Sequence, residues 1–145
     1  VGSLRLSLDS TLEEVPAAGA AIRRACVDAG VGTDEAALVE LALVEAIQNA
    51  IEHGYDGTPG GRVAVDLTVA PLFIHAEVTD TGRPVDLARV AQPAPADDTM
   101  PVDRSTLQER GRGVEILRGV FDDVAYSRDA GGNRLVVRRR RRGAV

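Results

Sequence analysis

The chain is predicted to fold as an α+β two-layer sandwich, a mixed and mostly antiparallel sheet with helices on one face. Three observations lead there. Strand-like runs come in adjacent pairs instead of alternating with helices, so a parallel βαβ sheet is disfavoured. Two helical segments follow one another between the first strand and the first pair. The 145 residues suit one domain built around one core, residues 1–145.

Leu4–Asp9 alternates as Leu-Arg-Leu-Ser-Leu-Asp, the pattern of a half-buried strand. Ser10 or Thr11 is placed to cap a helix with Glu13 and Glu14 in its first turn. That helix is expected to run to about Ala29 and stop at Gly30, with Pro16 tolerated only in the first turn. Thr33 is the expected N-cap of a longer helix reaching His53, with Gly54 as the residue after its end. Tyr55–Gly61 is rich in Gly and Pro and reads as a turn. Arg62–Val69 and Leu72–Asp80 are apolar, β-branched runs joined at Ala70-Pro71, hence adjacent antiparallel strands.

Thr81–Arg110 carries Pro84, Pro93, Pro95 and Pro101 among several Asp. It reads as a long connection with one helical turn near Leu87–Val90, and a loop of that length in a small domain is usually functional. Gly111-Arg112-Gly113 then opens a helix through Val120. Asp122–Ser127 and Asn133–Arg140 form a second strand pair, turned at Ala130-Gly131-Gly132.

Composition removes several functions. Hydrophobic residues are 44% and charged residues 27%, so the chain is globular and not globally disordered. Aromatics are 3%, too few for a base-stacking nucleic-acid platform, and the net charge of −5 opposes binding to a phosphate backbone. All 17 basic side chains are Arg, which excludes a Schiff-base lysine, a P-loop lysine and a kinase strand lysine. One Cys (Cys26) and two His (His53, His75) cannot build a zinc cage without several carboxylates. No apolar run approaches the roughly 20 residues of a membrane span, and no signal peptide is visible, which points to a cytoplasmic setting.

Three segments carry candidate chemistry. In LALVEAIQNAIEHG (residues 41–54), Leu43, Ile47, Ala50 and Ile51 share an apolar face, while Glu45, Gln48, Asn49 and Glu52 lie opposite. Glu45 and Asn49 are four apart and therefore neighbours. A carboxylate beside a carboxamide suits a divalent cation with a water, or removal of a proton from a nucleophile, although on spacing alone a solvated polar face is the better reading. Asp80 ends a strand and is followed by Thr81-Gly82-Arg83-Pro84. A carboxylate there can accept from the exocyclic amine of a base, with the glycine admitting a flat ring, or it can form an ordinary Asp-x-Gly turn. Gly111-Arg112-Gly113 at a helix start offers backbone N–H groups to phosphate, flanked by Arg110, or acts as a hinge. The plainer readings suffice elsewhere. His53 caps a helix end, His75 packs in a strand or at an edge, Cys26 is a small core residue and Arg138–Arg142 begins a solvated basic tail over about 138–145.

Taken in order, these segments resemble the GHKL ATPase superfamily with its Bergerat ATP-binding fold. EAIQNAIEHGY resembles the N-box of the bacterial anti-sigma factor/serine-protein kinase family, VTDTGRPVD its first glycine box and ERGRGVEILRGVFDDV its second. The resemblance covers nearly the whole chain. It implies that Asn49 binds Mg²⁺ together with the ATP phosphates and that Glu45 is the general base. It implies that Asp80 bonds the adenine amino group with Gly82 beside the ring, and that 85–110 is the ATP lid. Gly111 and Gly113 would present N–H groups to the phosphates, with Arg112 adding charge and Arg110 reaching the γ-phosphate.

The implied activity is that of an ATP-dependent serine/threonine protein kinase acting as an anti-sigma factor. It would phosphorylate an anti-anti-sigma (STAS-type) protein, sequester a sigma factor and often pair as a homodimer, without touching nucleic acid or membrane. Pro84 stands where the first glycine box usually has its second glycine. That departure motivates an alternative, a non-catalytic ATP-binding module that switches a protein partner. A two-component histidine kinase is the weaker alternative, because it needs a dimerisation helix with a phospho-accepting His, which a chain this short is not expected to hold.

Overall fold

The computed structural model describes residues 1–83 and 112–143. The chain runs β1 (Gly2–Asp9), α1 (Val15–Asp28), α2 (Thr33–Asn49), β2 (Arg62–Val69), β3 (Phe73–Asp80), α3 (Arg112–Val120), β4 (Asp123–Asp129) and β5 (Gly132–Arg140). The strands form one sheet in the order β1-β2-β3-β5-β4, and every neighbouring pair is antiparallel. The α+β sandwich read from the sequence is therefore present, with no parallel pair among the described residues. The expected helical turn at Leu87–Val90 lies outside them.

Period-2 patterning decides which face of the sheet is covered. Leu8 faces Val63, Leu6 faces Val65 and Val78 faces Leu135, so the apolar residues of successive strands line up on one face. They pack with Ile22 of α1, Leu43 and Ile47 of α2 and Leu117 of α3 into a single core. The opposite face carries Ser3, Arg5, Ser7, Asp66, Glu77 and Arg134, with Arg5 paired to Asp66 at 2.7 Å and Arg134 to Glu77. His75 is half-buried on that outer face of an interior strand, not at an edge. Cys26 is fully buried, and burial pushes its thiol up to about 11, so it stays protonated and inert.

Several local expectations are corrected. Ser10 caps no helix: its hydroxyl donates to the Thr58 carbonyl and accepts from Gly61 N–H at 2.8 Å, pinning the 55–61 turn to the end of β1. The first turn beyond it is a 3₁₀ segment, Leu12–Glu14, and Pro16 falls in the first turn of α1, where its missing N–H costs nothing. Gly30 ends the helix region at φ +90. Gly32, not Thr33, is the N-cap of α2. That helix ends at Asn49 and widens into a π turn over Ala50–Gly54, so the reversal is made by Asp56 and Gly57, both at positive φ, and not by Gly54. Glu40 lies half-buried between the helices, against Gly19 of α1 and 3.7 Å from Arg23.

The arginine run is not a solvated tail. Arg138–Arg140 belong to β5, Arg138 stacks 3.7 Å from the centre of the Phe73 ring, and Arg139 is buried. Arg141 donates its N–H to Leu72 O at 2.8 Å, and Arg142 pairs with Asp122 at 2.9 Å. The Arg140 N–H first, and then that guanidinium, hold the Asp122 carboxyl below the usual range.

Candidate nucleotide site

The site is assembled where the end of α2 meets the end of β3. The apolar face of α2 behaves as its spacing requires: Leu43, Ile47, Ala50 and Ile51 are buried. This turns Glu45 and Asn49 to the other side, half-buried and one helical turn apart. Among the described residues neither side chain makes a hydrogen bond or ion pair. Both are reached by solvent, and no buried side-chain polar atom among the described residues lacks a partner.

The π turn then brings Gly54 against the β3 exit. Arg83 donates its N–H to Gly54 O at 2.8 Å, and the two backbones touch at Gly54 and Gly82. A Cβ on Gly82 would sit 2.6 Å from Gly54 O and 2.7 Å from its carbonyl carbon. A Cβ on Gly54 would meet its nearest neighbour at 3.5 Å, an ordinary contact. Gly82 is thus required by close approach and Gly54 is not. Gly82→Ala is expected to cost about 1–3 kcal/mol by overpacking and to weaken nucleotide binding, whereas Gly54→Ala keeps stability. Thermal melts of both variants, with and without Mg–ATP, check this, and equal behaviour of the two would contradict it.

Asp80 lies on the core face at the end of β3, directly opposite Asn133 of β5. Its Oδ1 accepts from Gly82 N–H and from the Asn133 Nδ2, each at 2.9 Å. The same Nδ2 donates to Gly82 O at 2.9 Å, and the Asn133 Oδ1 accepts from Tyr126 OH at 2.9 Å. No described donor reaches Asp80 Oδ2, so that oxygen is open. From the other side, Tyr55 OH accepts from Thr81 N–H at 2.8 Å and donates to Arg62 O at 2.8 Å, so the Asp80-Thr81-Gly82 turn is braced at both ends. Gly132, at φ +121, lets the β4–β5 turn lie against the Asp80 carbonyl.

The structure therefore brings Asp80 and Gly82 together and places Asn49 five residues, about one turn, before their neighbour Gly54. Glu45 lies a turn further back. Arg112 and Gly113 begin α3, while Arg110 and Gly111 lie outside the described residues. Sequence reasoning missed Asn133, Tyr126, Tyr55 and Gly132. Asn133 follows a Gly-Gly turn, but nothing local says it faces Asp80 across the sheet.

The donor set fits nucleotide and magnesium. Among the described residues no group of three or more His, Cys, Asp or Glu is arranged to hold a metal. Magnesium is content with one or two protein oxygens when phosphates and waters complete its octahedron, and a carboxamide oxygen such as that of Asn49 is of the hard-oxygen type it takes. No helix among the described residues is long and apolar enough to cross a membrane.

An antiparallel sheet with helices on one face, and a carboxylate held beside Gly82 at a strand end, is consistent with a Bergerat-type ATPase fold. The chain belongs to the histidine kinase-like ATPase domain family, whose profile matches residues 8–139. It is similar to an anti-sigma F factor of Geobacillus stearothermophilus, with 29% identity over 93 residues, 63% of this chain and 60% of that protein. It is also similar to the serine-protein kinase RsbW of Oceanobacillus iheyensis, with 28% identity over 94 residues, 64% of this chain and 58% of that protein. The match thus spans about 60% of these curated relatives. A crystal structure of the RsbU and RsbW domains of a Mycobacterium tuberculosis protein shares the fold at TM-score 0.65 and 19% identity, covering 97% of this chain and 32% of that one.

Proposed function

We propose that the protein is an ATP-dependent serine/threonine kinase that acts as an anti-sigma factor. It transfers the γ-phosphate of ATP to a hydroxyl of an anti-anti-sigma (STAS-type) protein and so controls release of a sigma factor. The observation that carries this reading is the packing of Gly54, which follows Asn49 by one π turn, against the Asp80–Gly82 turn. The similarity to an anti-sigma F factor and to a serine-protein kinase supplies the class of acceptor.

In this reading Asp80 Oδ2 accepts from the adenine amino group, and the Gly82 surface lies along the ring. Asn49 would hold Mg²⁺, which when bound would supply positive charge to the ATP phosphates. Glu45, one turn from Asn49, takes the proton from the attacking Ser or Thr hydroxyl. The start of α3, with Arg112 and Gly113, offers N–H groups and positive charge to the phosphates, joined by Arg110 and Gly111 from the preceding segment. Phosphoryl transfer is mostly positioning and charge stabilisation, so the absence of lysine is no obstacle. The ATP lid assigned to residues 85–110 lies outside the described residues.

Calorimetric titration with Mg–ATP is the direct test, with Asp80→Asn as control. Saturable binding that is lost in the variant is the expected result, followed by transfer of labelled γ-phosphate to a STAS-type protein. Pro84 in the first glycine box favours a second reading, a module that binds ATP and switches a partner without catalysis. Nucleotide-dependent partner binding with no phosphate transferred would decide for it.

A further inference from the structure

We infer that Asn133, held by Tyr126, is the residue that sets nucleobase selectivity, by leaving Asp80 a single oxygen for the base. The inference rests on the reading of Asp80 as the base acceptor. Asn133 is 3% exposed and every polar atom of its carboxamide is used. Its Nδ2 donates to Asp80 Oδ1 and to Gly82 O, and its Oδ1 accepts from Tyr126 OH, all at 2.9 Å.

The two acceptors beside it, Asp80 Oδ1 and Gly82 O, fix which way the amide points, and Tyr126 OH then donates to its Oδ1. Turned over, the amide would set its oxygen against the carboxylate of Asp80 and against Gly82 O, leaving two acceptors facing an acceptor. With the NH₂ group toward Asp80, and Gly82 N–H beside it, Oδ1 already takes two hydrogen bonds, which fills the two lone-pair sites of one carboxylate oxygen.

The chemistry of the bases then separates. Guanine presents two adjacent donors, N1–H and the 2-amino group, and is matched by a carboxylate with both oxygens open side by side. Adenine presents one amino group beside an unprotonated ring nitrogen, and one open oxygen satisfies it. A saturated Oδ1 gives guanine one partner for two donors, and a buried donor left without a partner is costly. Asn133 is thus a positioning residue that acts through Asp80, and Tyr126 acts through Asn133.

The test is titration of the full chain and three variants with Mg–ATP and with Mg–GTP, reading the ratio of the two dissociation constants. Asn133→Ala reopens one site on Oδ1, and the preference for ATP is expected to fall roughly tenfold, the scale of one hydrogen bond to a charged group. Asn133→Ser keeps a donor near Asp80 and restores part of the preference. Tyr126→Phe removes one hydroxyl from a half-buried ring and shifts the ratio the same way by a smaller factor. This variant carries the test if Asn133→Ala fails to fold. An unmoved ratio with both affinities lowered equally would make Asn133 merely structural and overturn the inference. Saturable ATP binding by the wild type separates that failure from a failure of the site, since a chain that binds neither nucleotide overturns both.

Discussion

Asn49→Ala is expected to lower Mg–ATP affinity by more than about 100-fold, whereas Glu45→Ala leaves that affinity within about threefold and stops transfer. The two side chains sit one helical turn apart, at similar depth, and neither has a partner among the described residues. Their chemistry separates them. A carboxamide oxygen is a ligand for a hard cation and cannot act as a base, while a carboxylate can take a proton. In the proposed site the Asn49 carboxamide would be the protein's own ligand to the Mg–ATP complex, so its loss is expected to be felt in binding. General-base assistance is worth about 10²–10⁴ in rate and nothing in ground-state affinity, so losing Glu45 is felt in turnover. Calorimetry with Mg–ATP and transfer of labelled phosphate to a STAS-type protein read the two effects separately. Full transfer by Glu45→Ala would sink the base assignment, and undiminished Mg–ATP binding by Asn49→Ala the metal assignment.

Glu35→Ala is expected to destabilise the protein by about 3–5 kcal/mol, because it strands a buried guanidinium. The Arg139 and Glu35 side chains are only 7% and 9% exposed, and Arg139 Nε donates to Glu35 Oε2 at 2.7 Å. The same Oε2 accepts from Arg142 N–H at 2.8 Å, and Arg139 also donates to Val120 O at 2.7 Å. One ion pair therefore ties the first turn of α2, the end of β5 and the last turn of α3. Against a typical total of about 5–15 kcal/mol, that loss is a large fraction. Replacing both partners (Glu35→Leu with Arg139→Met) is expected to cost less than either single loss, because no unpaired charge stays behind. Urea denaturation of the two single variants and the double variant gives the comparison. A Glu35→Ala loss under about 1 kcal/mol would mean the pair behaves as a solvated surface pair.

Much of the fold was legible because its information is local. The alternation of Leu4, Leu6 and Leu8 and of Val63, Val65, Leu67 and Val69 announces strands with one buried face, and those faces are the ones that meet. The 3.6-residue spacing of Leu43, Ile47 and Ile51 assigns the buried side of α2 and, by elimination, turns Glu45 and Asn49 away from it. Where expectation failed, a long-range contact had overridden a local preference. Ser10 resembles a cap by type but is taken by the turn 48 residues later. Arg138–Arg142 resembles a charged tail by composition, yet Phe73, Glu35 and Asp122 each claim one of its members.

The sequence by itself determined the element order and the buried faces, and by residue type and spacing it singled out Glu45, Asn49, Asp80 and Gly82 as candidates, since periodicity and residue type are properties of neighbouring residues. Only the tertiary structure decided that β5, not β4, pairs with β3, and in which register. That choice sets Asn133 opposite Asp80 and fills one of its oxygens. The π turn likewise brings Gly54 onto Gly82, joining the α2 residues to the strand end. Hydrogen-bond partners across a sheet are chosen by the packing of the whole core, and a shift of one residue in β5 would have turned Asn133 to the opposite face.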